Sequence, residues 1–317
     1  MTIIRRRTIL ALGGAALLGS GARARAETVL RVGDQIAGNR SVMEAAGVLA
    51  DVPYQIRWSQ FPAAAPLLEA LNAGALDVGF TGDVPFLFVY ASGVPVRVIG
   101  VVRGGAKSQA ILVPRGSPIK TLADLKGRKL AVNKGGNGHY LALALLDHAG
   151  IDPTTVNIVT MPPPDARLAL AGGAVDAWSV WDPYVSIAIA DDGARVLVDA
   201  TGVYGNKSFD LAHLDAIASK RAMLEDFERR LARARRWALS HVEENAAQVS
   251  ALTRIPAPLI AQSLRNRAAT PIAIDDQVIA ETQSEADLFT RYHVLPAHID
   301  VSGAFDRGFA GALTVSQ

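Results

Sequence analysis

The stretch Pro164–Tyr184, PDARLALAGGAVDAWSVWDPY, constrains the fold of this chain more than any other. Small apolar residues recur at helical spacing (Ala166, Leu168, Ala169, Leu170) until Gly172-Gly173 stops the helix. Ala174 to Trp181 is apolar apart from Asp176 and Ser179 and suits a buried strand. Asp182-Pro183 reads as an N-cap with proline at the first helical position, which predicts a second helix from Pro183. The unit is a helix, a strand, and a corner carrying Trp178, Trp181, Asp182 and Tyr184.

The unit has an echo. Pro66–Phe86, PLLEALNAGALDVGFTGDVPF, runs through helix, glycine stop, apolar strand and helix start in the same order. Asp77 and Asp83 are six residues apart, as are Asp176 and Asp182, and the two copies lie 99 residues apart. At an offset of 100, Leu30–Gln35 (LRVGDQ) matches Leu130–Gly135 (LAVNKG), each a short strand entering a polar or glycine-rich loop. Two pairs at a shared offset predict two similar α/β lobes built from corresponding units.

The chain of 317 residues is long enough for one large or two medium domains. Its net charge of +2 argues against a nucleic-acid surface, which needs a clustered excess of Lys and Arg. The cluster Arg233, Arg235, Arg236 follows Glu225, Asp226 and Glu228 and reads as a solvated helix face. No cysteine is present, so disulfides, thiolate metal sites and an N-terminal lipid anchor are not expected. Arg5-Arg6-Arg7, the apolar run Ile9–Leu18 and Ala24-Arg25-Ala26 predict a signal peptide over residues 1–26. The arginines fit the twin-arginine route, with the general secretory route as the alternative. The expectation is an exported, soluble chain with no membrane span.

Four corners repeat one arrangement, a strand end followed by a helix start: Phe61 to Ala64, Thr81-Gly82-Asp83, Gly135 to His139, and Trp181-Asp182-Pro183. Free backbone N–H groups and the helix dipole make such corners anion sites. Gly135, Gly136 and Gly138, around Asn137 and before His139, let a ligand approach the backbone closely. In an open α/β sheet these corners gather at the carboxyl ends of the strands, where ligands bind. Each residue also has a plainer reading. Asp83 and Asp182 suit helix caps, Trp178 and Trp181 suit core filling, His139 suits a hydrogen bond to its loop, and Arg167 suits an ion pair with Asp165. Enzyme motifs are absent: there is no Gly-x-Ser-x-Gly, no His-Glu-x-x-His, and the six histidines lack metal-ligand spacing.

Several motifs together resemble the aliphatic-sulfonate-binding proteins of ABC importers, whose wider relatives bind taurine, nitrate or thiamine-precursor pyrimidines. They are Trp58-x-x-Phe61-Pro62-Ala63, Leu71-Asn72-x-Gly74-x-x-Asp77, Thr81-Gly82-Asp83, the run Ser117–Gly127, and Asp176-Ala177-Trp178-x-x-Trp181-Asp182-Pro183-Tyr184. The resemblance covers nearly all of the chain after the signal. It implies an α/β fold, a two-lobed periplasmic binding protein of type II, each lobe a mixed sheet flanked by helices, with two crossovers. Lobe 1 is expected over 27–114 plus 209–317 and lobe 2 over 115–208. The implied function is delivery of an alkyl or aryl sulfonate from the interlobe cleft to a permease and its ATPase, by a periplasmic monomer without a cofactor. Binding of another small anion (taurine or nitrate) and an exported enzyme are the alternatives.

Carried over by position, Thr81, Gly82 and the loop Gly135–His139 hold the sulfonate, and Gln35 and Asp83 complete the polar shell. Trp178, Trp181, Phe61 and Tyr184 surround the tail, with Arg167 and Asp182 near the strand ends. A sulfonate is a monoanion near neutral pH, which backbone N–H groups and hydroxyls bind without a full countercharge. One departure stands out. Where the family loop usually carries serines, this chain reads Gly136-Asn137-Gly138, which removes hydroxyl donors and keeps backbone ones.

Overall fold

The first aspartate of each repeat does the same mechanical job. Asp77 accepts the backbone N–H of Arg31 at 2.7 Å, and Asp176 accepts that of Lys129 at 2.8 Å. In return, the Asp77 and Asp176 amides donate to the carbonyls of Arg31 and Lys129. Each aspartate therefore pins the start of the neighbouring strand, which fixes the register of two corresponding sheets. These relations come from a computed structural model that describes residues 28–35, 38–61 and 64–313. The expected signal segment, residues 1–26, lies outside the described residues.

The strands are β1 (Val29–Gln35), β2 (Gln55–Phe61), β3 (Val78–Gly82), β4 (Val96–Arg103), β5 (Gln109–Val113), β6 (Lys129–Val132), β7 (Asn157–Thr160), β8 (Ala177–Trp181), β9 (Arg195–Asp199), β10 (Lys207–His213) and β11 (Thr270–Ile272). They form two mixed sheets, ordered β11-β4-β10-β3-β1-β2 and β7-β6-β8-β5-β9. Laid over one another, the sheets match β1 with β6, β2 with β7 and β3 with β8, all parallel neighbours. In each sheet the next strand, β10 or β5, runs antiparallel. The paired segments at Leu30 and Leu130, and at Asp77 and Asp176, thus belong to equivalent places in two equivalent sheets.

The antiparallel strand is the one the sequence reading placed wrongly. Gln109–Val113, expected in the first lobe, pairs with β8 and β9 of the second sheet. The chain changes sheets at Gly104–Ser108, and returns between β9 and β10, through 200–206. Glycine at the first crossing has a steric reason: a Cβ on Gly105 would stand 2.4 Å from the Asn266 carbonyl oxygen, and the Gly105 N–H donates to Arg267 O. Pro114–Pro118, the expected crossover, instead follows β5 within the second unit.

Helices α1 (Asn39–Ala45), α2 (Ala64–Asn72), α3 (Asp83–Ala91), α4 (Asn137–His148), α5 (Pro163–Ala171), α6 (Tyr184–Asp191), α7 (Leu214–Ser240), α8 (Val242–Thr253), α9 (Ala257–Arg267) and α10 (Asp276–Arg291) cover the sheets. The helix after Trp181 starts at Tyr184, one residue later than the Asp-Pro pair predicts, and Asp182 still accepts the Ser186 N–H at 2.9 Å. On α10, Phe289 is fully buried and its ring meets those of Phe88 on α3 and of His139 and Tyr140 on α4. One apolar core therefore runs between the two sheets' helices. Among the described residues no helix is long and apolar enough to cross a membrane.

Candidate ligand-binding cleft

Strand order brings the predicted corners together. β1, β2 and β3 end at Gln35, Phe61 and Gly82, and β6 and β8 end at the loop before α4 and at Trp181. At the centre, α3 and α4 meet through their first residues. Asp83 is fully buried; its Oδ1 accepts the Asn137 side-chain amide at 2.8 Å, the Tyr204 hydroxyl at 2.5 Å and the Val84 N–H at 2.9 Å. Its Oδ2 accepts the Lys207 N–H at 2.9 Å. The second aspartate repeats the motif in reverse. Asp182, on the second sheet, accepts the side-chain amide of Asn266 on α9 at 2.8 Å. Each repeat thus sends an aspartate to an asparagine of the other half, a pair of clasps, and Asp182 also keeps the helix-start bond to Ser186 expected of a cap.

Other predicted residues divide clearly. Thr81 is buried, and its hydroxyl has no partner among the described residues. Gly82 lies close against the Asn137 side chain, where a Cβ would stand 2.6 Å from Oδ1 and push that side chain aside. Gly135 adopts φ +68°, in the left-handed region, and lies against the Phe88 ring. Gly136 caps α4 in extended conformation. Gly138 packs α4 onto β8: the Ser179 hydroxyl donates to its carbonyl at 2.7 Å, and a Cβ would lie 2.4 Å from Ser179 O. No carbonyl among the described residues receives the N–H of Asn137 or Gly138, so this helix start keeps donors available for an anion. Gln35, Phe61 and Tyr184 are partly exposed at the strand ends.

Strand alternation separates the tryptophans. Trp178, 1% exposed, packs with Ala166 and Leu170 beneath α5 and meets the Tyr184 ring at 5.9 Å. It is a core residue and cannot touch a ligand. Trp181, half-buried at the strand end, keeps a position at the cleft. Arg167 is spent on Asp192 at 2.6 Å and Asp191 at 3.1 Å, not on Asp165.

His139 faces the loop and the Phe289 ring, with Nδ1 accepting the Gly135 N–H at 3.3 Å. Burial, reinforced by the Lys134 charge, brings its pKa down to about 4. An unfolded chain takes up this proton near pH 6.5, so the group's contribution is present above that pH and lost as pH falls towards 4, about 3 kcal/mol in all. His139→Gln should flatten the rise in unfolding free energy between pH 4 and 6.5, read by urea denaturation. An unchanged slope in the variant contradicts this assignment.

Two cavities border the strand ends. One of about 520 Å³ lies between α2 and α3, beside Lys134 and Gly135. The other, about 340 Å³, is enclosed by α1, α7, α8 and α9. Among the described residues no group of His, Asp or Glu could hold a metal ion.

Two mixed α/β sheets joined by two crossings, with strand carboxyl ends turned to one cleft, define the periplasmic-binding-protein class. Within that class the chain belongs to the NMT1/THI5-like family, whose model matches residues 60–245. A relative in Escherichia coli (strain K12) that carries the name aliphatic sulfonates-binding protein is 37% identical over 276 residues, 86% of each chain. The crystal structure of the periplasmic aliphatic sulphonate binding protein SsuA from Escherichia coli superposes with a TM-score of 0.82 at 36% identity, covering 88% of this chain and 92% of that one. The alkanesulfonate-binding protein SsuA from Xanthomonas axonopodis pv. citri, bound to MOPS, gives 0.78 at 32% identity, over 88% and 98%.

Proposed function

We propose that this chain is the substrate-binding component of an ABC importer and carries an alkyl or aryl sulfonate. The observation behind this reading is the likeness, over nearly the whole of each chain, to proteins named for aliphatic sulfonates. The cleft chemistry agrees with it. Unspent N–H donors at the start of α4 and the Thr81 hydroxyl suit sulfonate oxygens, and Trp181 with Phe61 offers apolar surface to a tail. The lobes divide along the sheets, 28–103 with 207–313 against 109–199. The protein works in the periplasm as a monomer, exported through residues 1–26 by the twin-arginine or general secretory route. It is a binder that hands an unchanged ligand to a permease and its ATPase, and not an enzyme.

A thermal-shift series on the mature chain tests this reading. A ligand that binds only the folded state stabilises it by about 2.7 kcal/mol at a hundred times its dissociation constant, a rise of roughly 5–10 °C. Butanesulfonate and octanesulfonate should raise the melting temperature, and nitrate and sulfate should not. A shift with nitrate alone, or none across the panel, contradicts the sulfonate assignment.

A further inference from the structure

The 340 Å³ cavity carries cationic side chains on its wall. Arg235 and Arg267 both line it, and they differ in how their charge is met. Asp210 clamps Arg235 with two bonds, at 2.6 and 2.7 Å. Arg267 has no carboxylate within ion-pair distance among the described residues, and its guanidinium meets the Ser208 hydroxyl at 3.5 Å. Protein surrounds Arg267, yet solvent reaches it, as befits a side chain standing in a cleft. Burial and the Arg235 charge both act against its protonated form, and the acid that opposes them is Asp182 of the second sheet. Asp182 is already committed to Ser186 and Asn266. A guanidinium does not give up its proton, so Arg267 stands as an exposed cation lining the cavity, free to meet an anion.

The position is right for the ligand. Ser208, which the Arg267 guanidinium meets, pairs in register with Gly82 across one strand spacing, ~5 Å, so Arg267 reaches the strand next to the Thr81-Gly82 corner. Beyond the guanidiniums the cavity wall carries apolar surface from Phe80, Leu239, Val249 and Leu264, alongside the polar Asn39, Ser41 and Asn245. A volume of about 340 Å³ lies within the range of small-molecule pockets.

We infer that Arg267 is the countercharge for the anionic head of the ligand and that the cavity beside it takes an uncharged apolar tail. This rests on the sulfonate reading and narrows it. The head is neutralised by a full charge, not by backbone donors alone, and the preferred substrates are amphiphilic monoanions. A tail ammonium close to the head, as in taurine, would face Arg235 and an apolar wall at once.

Calorimetric titration of the mature chain with methanesulfonate, octanesulfonate and taurine tests this. Arg267→Gln should weaken both alkanesulfonates about 10- to 100-fold, the range for losing a charge-assisted hydrogen bond, and should reduce the salt dependence of binding. Arg267→Lys should retain part of the affinity. Ala238→Trp, which fills the cavity, should weaken octanesulfonate and leave methanesulfonate unchanged. Since Arg267 makes one long contact, Arg267→Gln should melt within about 2 °C of the parent. Octanesulfonate affinity unchanged in Arg267→Gln overturns the inference and leaves the sulfonate reading standing. No binding of any sulfonate by the parent chain overturns both.

Discussion

Replacing Lys207 by methionine is expected to lower the free energy of unfolding by about 3–5 kcal/mol, the cost of leaving buried carboxylates without their cation. Lys207 is fully buried where the chain returns to the first sheet. Its ammonium pairs with Glu285 and lies 3.5 Å from both Asp83 and Glu281. Burial alone would drive the proton off, but Glu285, Asp83 and Glu281 outweigh it and raise the lysine pKa. Glu281 keeps a second partner in Arg103 at 2.9 Å, whereas Glu285 does not, and one of its oxygens is already unpartnered. The loss should therefore fall mainly on Asp83 and Glu285. Urea denaturation at pH 7 measures it. A decrease below about 1 kcal/mol would mean that water reaches this junction and screens the acids.

The second large effect separates the two tryptophans. Trp178→Ala removes a fully buried ring from the second sheet's core and should cost about 3–5 kcal/mol, while the folded variant binds its ligand with parental affinity. Trp181→Ala, at the half-buried strand end, should cost less than about 1.5 kcal/mol and weaken binding instead. Denaturation and calorimetry on both variants check the pair of outcomes. Parental stability in Trp178→Ala, or lost affinity in the folded variant, contradicts the placement of that ring.

This pair also marks where sequence reasoning reaches its limit. Trp178 and Trp181 stand three apart, and on a strand residues three apart face opposite sides, so both could not have met one ligand. That signal was legible. The fold was legible for a related reason: the paired motifs at Leu30 and Leu130, and at Asp77 and Asp176, repeat an arrangement that only equivalent strands use. What could not be read was pairing over long separations. Asp83 finds Asn137 across 54 residues and Asp182 finds Asn266 across 84, and neither asparagine carries a local mark of that role. The same holds for Gln109–Val113, whose apolar run says strand but not which sheet, and for Arg267, an ordinary helix-end arginine until the chain folds beside Ser208.

The two clasps give the cleft a mechanical character. Each spans from one sheet's unit to the other's, and Tyr204, on the returning crossover, donates to Asp83 at 2.5 Å. Asn137 therefore does two things at once: its side chain clasps Asp83 while its backbone N–H stands at the start of α4. On the proposed reading, ligand contact and lobe contact share one residue.

The most direct test of this account is titration calorimetry of octanesulfonate into the mature chain, followed by analysis of the recovered ligand. The account predicts saturable binding of one sulfonate per chain, insensitive to added sulfate or nitrate, with the sulfonate recovered intact. Heat that shows no saturation, competition by nitrate, or a sulfonate returned with its carbon–sulfur bond cleaved would contradict it.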